Sequence, residues 1–363
     1  MVKISLDNQD CIEQHREAYQ VLGRVLEDLA SGKAIYTIGR GGKSKVLSRA
    51  SNRNTVARKY YTKLTDLCDN YPCLSPEHIH DVVSKVKKYE VSLNKKMVKR
   101  AKRILATIYS YEKFSKGMSP QYKYGVLSWV ANPSGWGAWE FLRRLNVRSC
   151  VYCNAETIFS LLLTNELPGG GITPKYDSKT HKRSALDHFY NHSKYPFLGL
   201  TLSNLVPACT RCNTNVKGAR ELNHTKHIYP YAESFNDGVK FAIAYKPGKR
   251  IVDLEESDLH IAFVPRMESK IYQKSLESVA FFHLSKVYNQ LHKIDALTVL
   301  KRIEAFPQSY REFLAEKYPG IKGMVLDYVC RGSSLNPSHI LSHNLSKLTI
   351  DIEKQFGVAD KAC

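Results

Sequence analysis

Apolar residues in the first part of the chain recur mostly at helical spacing. Over residues 12–30, Ala18, Val21, Leu22, Val25, Leu26 and Leu29 trace one face of a helix, which Ser31-Gly32 should end. Ser75-Pro76-Glu77 carries a capping residue and a proline suited to a first helical turn, so a second helix is predicted there. A third is expected over 94–111, with Met97, Val98, Ala101, Ile104, Leu105 and Ile108 inward and basic residues outward. Between the first two, Ile38-Gly39-Arg40-Gly41-Gly42-Lys43-Ser44 lacks both GxxxxGK[ST] spacing and a clear preceding strand; it reads as a flexible basic loop rather than a phosphate loop. Further on, a short helix is expected from Trp136 to Leu142, its aromatics packing rather than stacking on bases. Another is expected over 155–164, followed by the Pro168-Gly169-Gly170-Gly171 loop. Residues 239–245 and 259–264 read as strands, and 275–305, 312–328 and 337–356 as helices. No internal repeat is evident.

A chain of 363 residues can bury two or three cores. It contains no apolar run of about 18 residues, so no membrane span is expected. The start, Met-Val-Lys-Ile-Ser-Leu-Asp, has no signal-peptide core. With nine cysteines, this points to a reducing compartment, the cytoplasm, and Cys11, Cys68, Cys73, Cys330 and Cys363 are expected as reduced thiols.

Charge is uneven along the chain. Residues 1–149 carry 27 Lys/Arg against 13 Asp/Glu, out of a net charge of +20 for the whole. From Leu29 to Thr65 there is no acidic residue, and a second basic cluster runs through Lys95, Lys96, Lys99, Arg100, Lys102 and Arg103. Cations gathered this way attract a polyanion, the phosphate backbone above all. The competing reading is a solvated basic face that binds nothing specific.

The other four cysteines form two CxxC pairs, Cys150/Cys153 and Cys209/Cys212. Two such pairs suit a tetrahedral thiolate zinc site that staples distant segments. Residues 154–208 intervene, against roughly 15–20 in a compact zinc ribbon, so the insertion should hold an element of its own. Inside it lies Asp187-His188, and Asn204 and Asn213 complete the set. Each has an ordinary alternative. Asp-His is common on surfaces, Asn204 fits turn chemistry, and Asn213 could cap the following helix.

Together, Cys-Val-Tyr-Cys at 150–153, Leu186-Asp187-His188-Phe189-Tyr190, Ser203-Asn204-Leu205-Val206-Pro207-Ala208-Cys209 and Arg211-Cys212-Asn213, closed by Lys217-Gly218, resemble the HNH (His-Me finger) endonucleases. The likeness covers about residues 140–235, and the His227-Ile228-Tyr229-Pro230-Tyr231 run belongs with it. It implies a β-hairpin and helix around one divalent ion, often with a four-cysteine zinc site outside. By resemblance, Asp187 and Asn213 would hold catalytic Mg²⁺ or Mn²⁺, His188 would be the general base, and Asn204 would orient it. Two departures stand out: Asn213 replaces the family's second histidine, and four positions separate it from Lys217.

Phosphodiester hydrolysis suits these residue types. Mg²⁺ takes oxygen ligands and keeps several waters, and a histidine can be neutral at pH 7 and accept a proton. Adjacent strand residues face opposite ways, so a bulge or a strand end is expected at Asp187-His188.

The expectation is an α+β chain in three parts: a basic, mainly helical nucleic-acid-binding region at 1–125, an HNH ββα-metal core with structural zinc at 126–235, and a β-hairpin with a helix-rich C-terminal region at 236–363. Lys96, Arg100, Arg103 and Lys217 are assigned to nucleic acid, with DNA favoured. Resemblance alone adds a bacterial restriction or anti-phage setting, sometimes with a separate ATPase or other defence-system subunit. The alternative is a zinc-stapled nucleic-acid-binding module that does not cut.

Overall fold

Helical spacing in the first hundred residues yields α1 (Gln9–Tyr19), α2 (Val21–Ser31), α3 (Val56–Leu67), α4 (Pro76–Val91) and α5 (Lys95–Ile108). The computed structural model describes residues 2–6, 8–38, 42–50, 55–68, 75–163, 176–266, 269–320, 323–332, 334 and 336–356. Cys73, Cys363, the 168–171 loop and residues 39–41 of the basic loop lie outside them. The helix expected over 12–30 is two helices. Gly23 N–H bonds to Gln20 O at 3.0 Å, a three-residue closure that breaks the four-residue ladder. Asn94 caps α5, its side chain accepting from the Lys96 and Met97 amides. Pro76 opens α4 as expected, although the Ser75 hydroxyl bonds His78 instead of the helix backbone.

The N-terminal region is not only helical. Strands β1 (Ile35–Ile38) and β2 (Ser44–Ser48) form a hairpin around the basic loop. After a short α6 (Tyr111–Ser115), β3 (Met118–Lys123) and β4 (Val126–Ala131) form another, giving a sheet of order β2-β1-β4-β3. Position 125 lies in the β3–β4 turn, so this sheet takes strands from both sides of it. Helix α7 (Ala138–Leu145) follows, with Trp136 and Trp139 packed into the interior.

The stretch 155–164 is extended rather than helical: β5 (Ser160–Leu162) pairs with β6 (His181–Arg183). Phe159, Leu161 and Leu163 alternate outward there, a period of two that a short leucine run conceals. Next come β7 (Ala185–His188) and β8 (Leu205–Ala208), an antiparallel pair, then a seven-residue π-helical segment, Arg211–Lys217. One turn, α8 (Phe235–Gly238), leads into the expected hairpin of β9 (Val239–Tyr245) and β10 (Leu259–Pro265).

The long helix expected over 275–305 is three: α9 (Tyr272–Phe281), α10 (Leu284–Leu291) and α11 (Lys293–Ala305). His283, at φ 53°, and His292, at φ −126°, leave helical geometry at the two joints. Pro319-Gly320 divides the 312–328 stretch into α12 (Gln308–Lys317) and α13 (Gly323–Arg331), because the residue before a proline disfavours helix. Over 337–356 only Pro337–His339, a 3₁₀ turn, and α14 (Ser346–Gln355) are helical. The chain is thus a mixed α/β protein, and none of its described helices is long and apolar enough to cross a membrane.

One connected set of buried apolar residues runs from Ile4 to Ile352. Segments distant in sequence converge on the first CxxC turn. Val2 N–H bonds to Val151 O at 2.9 Å, and Arg148 N–H to Leu341 O at 2.8 Å. Asn154 donates to Ile340 O at 2.9 Å and accepts from Lys347 N–H at 3.0 Å.

His15 of α1 is fully buried. Its Nε2 bonds Leu200 O at 2.7 Å and its Nδ1 accepts from Trp136 at 3.1 Å. Burial lowers its pKa to about 3. An unfolded histidine titrates near 6.5. Between those values only the unfolded state binds the proton, so stability falls as pH falls, by about 1.4 kcal/mol per pH unit from this residue. Urea midpoints from pH 7 to 4 should show that part of the slope vanish in His15→Gln; an unchanged slope would refute the assignment.

Candidate functional site

The two CxxC turns meet as the spacing demands. The four sulfurs of Cys150, Cys153, Cys209 and Cys212 lie within 4.8 Å of one another, all buried. A tetrahedron with metal–sulfur bonds of about 2.3 Å has edges of about 3.8 Å, which this grouping can hold. Backbone amides already point at the sulfurs: Cys209 N–H at Cys150 Sγ (3.3 Å), Cys212 N–H at Cys209 Sγ (3.4 Å) and Ala155 N–H at Cys153 Sγ (3.5 Å). Burial pushes the Cys150 thiol well up, and neighbouring thiols push Cys212 up. Cys153, accepting hydrogen bonds from the other three, is held well below its usual value. Such a pocket tolerates few thiolates by itself, and a bound cation ionises coordinating thiols. Arg211 adds positive charge: its Nε bonds Glu156 at 2.6 Å, while its two terminal nitrogens are buried without hydrogen-bond partners among the described residues. The cluster is compatible with a structural metal such as zinc. Among the described residues, no other group of three His, Cys, Asp or Glu side chains is gathered this way.

The β7–β8 pair carries the second part of the site. Leu186 pairs with Pro207, Asp187 with Val206 and His188 with Leu205, and β7 stops at His188. The discontinuity expected at Asp187-His188 is therefore a strand end. Both side chains are buried, with different partners. Asp187 Oδ1 accepts from Lys217 Nζ at 2.9 Å, and Oδ2 accepts from the Tyr152 hydroxyl at 2.6 Å. Burial raises the Asp187 pKa, with Lys217 and Tyr152 opposing it.

His188 Nε2 lies 3.0 Å from Gly199 O. A carbonyl can only accept, so Nε2 carries the proton, and the neutral ring keeps its lone pair on Nδ1. Nδ1 has no hydrogen-bond partner among the described residues. Burial lowers the His188 pKa to about 3. The Tyr111 and His192 rings flank it, with centroids 4.7 Å and 4.4 Å away. These same two residues line a surface hollow of about 470 Å³, together with Tyr109, Ser115, Lys116 and Pro196.

Asn204 makes no hydrogen bond to the His188 ring. From a 3₁₀ turn before β8, it accepts from Tyr190 N–H at 2.7 Å and donates to Tyr190 O and Leu198 O. It thereby ties the chain leaving His188 to the turn that presents Gly199. The Tyr229 and Tyr231 hydroxyls bond Ser203 O and Leu205 O, on either side of Asn204, so the 227–231 run closes this corner. Gly199 is held by space: a Cβ there would lie 2.5 Å from Tyr109 O.

Asn213 is half-buried on the π-helical segment; its backbone N–H donates to Cys209 O at 2.9 Å, and its side-chain amide has no hydrogen-bond partner among the described residues. Lys217 differs from expectation. Instead of lying on a nucleic-acid surface, it is 3% exposed and bonds both Asp187 and His188 O, each at 2.9 Å. A π-segment accommodates an extra residue per turn and often marks a functional site; here it spans the Asn213–Lys217 interval noted in the sequence. Lys96, Arg100 and Arg103 are exposed on α5, opposite Val98, Ala101, Leu105 and Ile108. Ala106 and Tyr109, one turn further, line the hollow beside His188, so the basic helix leads to it.

Sequence reasoning did not find Tyr152, Tyr111, His192 or Gly199. Tyr152 had a signal, its place inside the first CxxC. The others become neighbours only through folding. The chain matches no protein-family model, no curated protein and no solved structure.

Proposed function

We propose that the protein is a metal-dependent endonuclease of the HNH type, with His188 as general base and the exposed cations of α5 gripping nucleic acid, DNA favoured. The observation that carries this reading is the His188 ring, neutral, fixed through Nε2 to Gly199 O, its Nδ1 without a partner among the described residues, at a strand end flanked by the Tyr111 and His192 rings that line the hollow. The succession of β7, β8 and a helical segment, joined to a four-cysteine cluster, supports a ββα core. The cluster would hold one structural Zn²⁺.

Asp187 and Asn213 offer a carboxylate and an amide oxygen, the donors a hard cation takes. One Mg²⁺ or Mn²⁺ held there would neutralise charge on the phosphate and leaving oxygen. In the structure the cation against Asp187 is the Lys217 ammonium, so an entering ion must share the carboxylate with it or displace it. His188 takes the proton of the attacking water at Nδ1, while Asn204 keeps the Gly199 turn in register.

A plasmid nicking assay with Mg²⁺ or Mn²⁺ against chelator tests the proposal. Metal-dependent nicking that His188→Ala abolishes is the expected result. Tight DNA binding without cleavage in any divalent ion would favour a zinc-stapled binding module instead.

For the basic helix, changing Lys96, Arg100 and Arg103 together to Glu should weaken binding to all DNA sequences alike. The slope of log affinity against log salt should fall by about 0.9 for each phosphate that is no longer neutralised. Fluorescence anisotropy across a salt series measures this, and an unchanged slope would leave α5 a merely solvated face.

A further inference from the structure

A second hollow, away from His188, lies between α2, β2, α3 and α5 and measures about 200 Å³. Its walls are of two kinds. Leu29 is buried, and Met97 and Ile104 are half-buried, giving an apolar side. Arg49 and Arg100 stand exposed at the rim, and neither guanidinium bonds or pairs with a described residue. Tyr61 also lines the hollow. It is 2% exposed, and its hydroxyl is buried with no hydrogen-bond partner among the described residues. Burial pushes that phenol up and the Arg100 charge opposes it; both residues line the one hollow.

Each feature is costly or idle in the protein alone. A buried hydroxyl without a partner costs about 1–3 kcal/mol. The guanidinium groups of Arg49 and Arg100 line one hollow without a described partner, and their planar forks suit phosphate oxygens. The apolar wall with its thioether suits a flat ring. The volume is below the roughly 300–1,000 Å³ of ordinary small-molecule sites, which excludes a large cofactor. A simple inorganic anion would leave the apolar wall uncovered, and an uncharged ring would leave both arginines unpaired.

We propose that this hollow binds a single nucleotide, its base against Leu29, Met97 and Ile104 and hydrogen-bonded by Tyr61, its phosphate held by Arg49 and Arg100. The site shares Arg100 with the basic face of α5 but does not depend on what His188 does. The nucleotide is either free or one unpaired residue of a strand, and the two sources share this chemistry.

Calorimetric titration of the full chain, without added divalent ion, would compare inorganic phosphate, adenosine, the four 5′-mononucleotides and a single-stranded pentanucleotide. A mononucleotide or the pentanucleotide should bind at least about tenfold tighter than phosphate or adenosine, a gap of about 1.4 kcal/mol. Tighter binding of the mononucleotide marks a free ligand, and tighter binding of the pentanucleotide marks a strand. Tyr61→Phe should weaken nucleotide binding by about tenfold. The melting temperature of the free protein should hold or rise, because an unsatisfied hydroxyl has been removed. Arg100→Gln should weaken nucleotide binding and leave adenosine unaffected, which keeps the test decisive if Tyr61→Phe folds poorly. No binding of any nucleotide at millimolar concentration, or binding indifferent to both substitutions, overturns the proposal. So does a Tyr61→Phe protein that melts lower while binding nucleotides normally.

Discussion

His188→Ala should lower the single-turnover cleavage rate by about 10²–10⁴-fold, the usual range for losing acid–base assistance, while DNA affinity stays within a few-fold of the parent. His188→Gln, which keeps a polar group of similar reach, should lose a comparable amount and guard against a mere packing defect. The pH profile is the more specific readout. With its pKa lowered to about 3 by burial, the free imidazole is already in its basic form well below neutrality. The acid limb set by His188 should therefore fall near pH 3, and activity should not drop between pH 7 and 5 on its account. An exposed histidine would instead impose a limb near 6.5. Parental cleavage by His188→Ala would end its assignment as the base. A limb near 6.5 that disappears in that variant would keep the assignment but show that the site is wetter than its packing indicates.

Removing the proposed zinc should unfold the protein. Structural zinc contributes on the order of 10–16 kcal/mol of binding free energy, against a typical net stability of about 5–15 kcal/mol for a whole domain. Cys209→Ser should give insoluble chain, or a melting temperature lowered beyond what any single surface change produces. A strong zinc chelator should do the same to the parent protein, and returning Zn²⁺ should reverse it. Elemental analysis should find one zinc per chain. Because thiols must ionise to bind it, zinc should be lost more readily as pH falls. A metal-free preparation that melts normally would show that the four thiols pack without an ion.

The sequence was most informative where chemistry depends on spacing. The four cysteines come together, β7 ends at His188, and β9 and β10 pair as their alternation suggests. It was least informative about continuity. Residues 272–305 keep a helical apolar period through two joints, because a period records which face is buried and not where the axis turns. The short leucine run near 160 satisfied helix and strand equally. The role of Lys217 was hidden for a different reason. A lysine reads as surface charge until a fold encloses it with a carboxylate. Gly199, likewise, is informative only once Tyr109 is packed against it.

The hydrogen bonds that join the first CxxC turn to residues 340–347 have a consequence for how the protein is made. They span separations of 186 and 193 positions. Contacts of that range slow folding, because the intervening chain must be ordered before they form. A ribosome emits about 5–20 residues per second, so the turn holding Cys150 and Cys153 leaves it roughly ten seconds or more before its last partners do. The nascent protein thus carries its basic N-terminal region early and a complete clasp only late, so that assembly order itself delays the finished site.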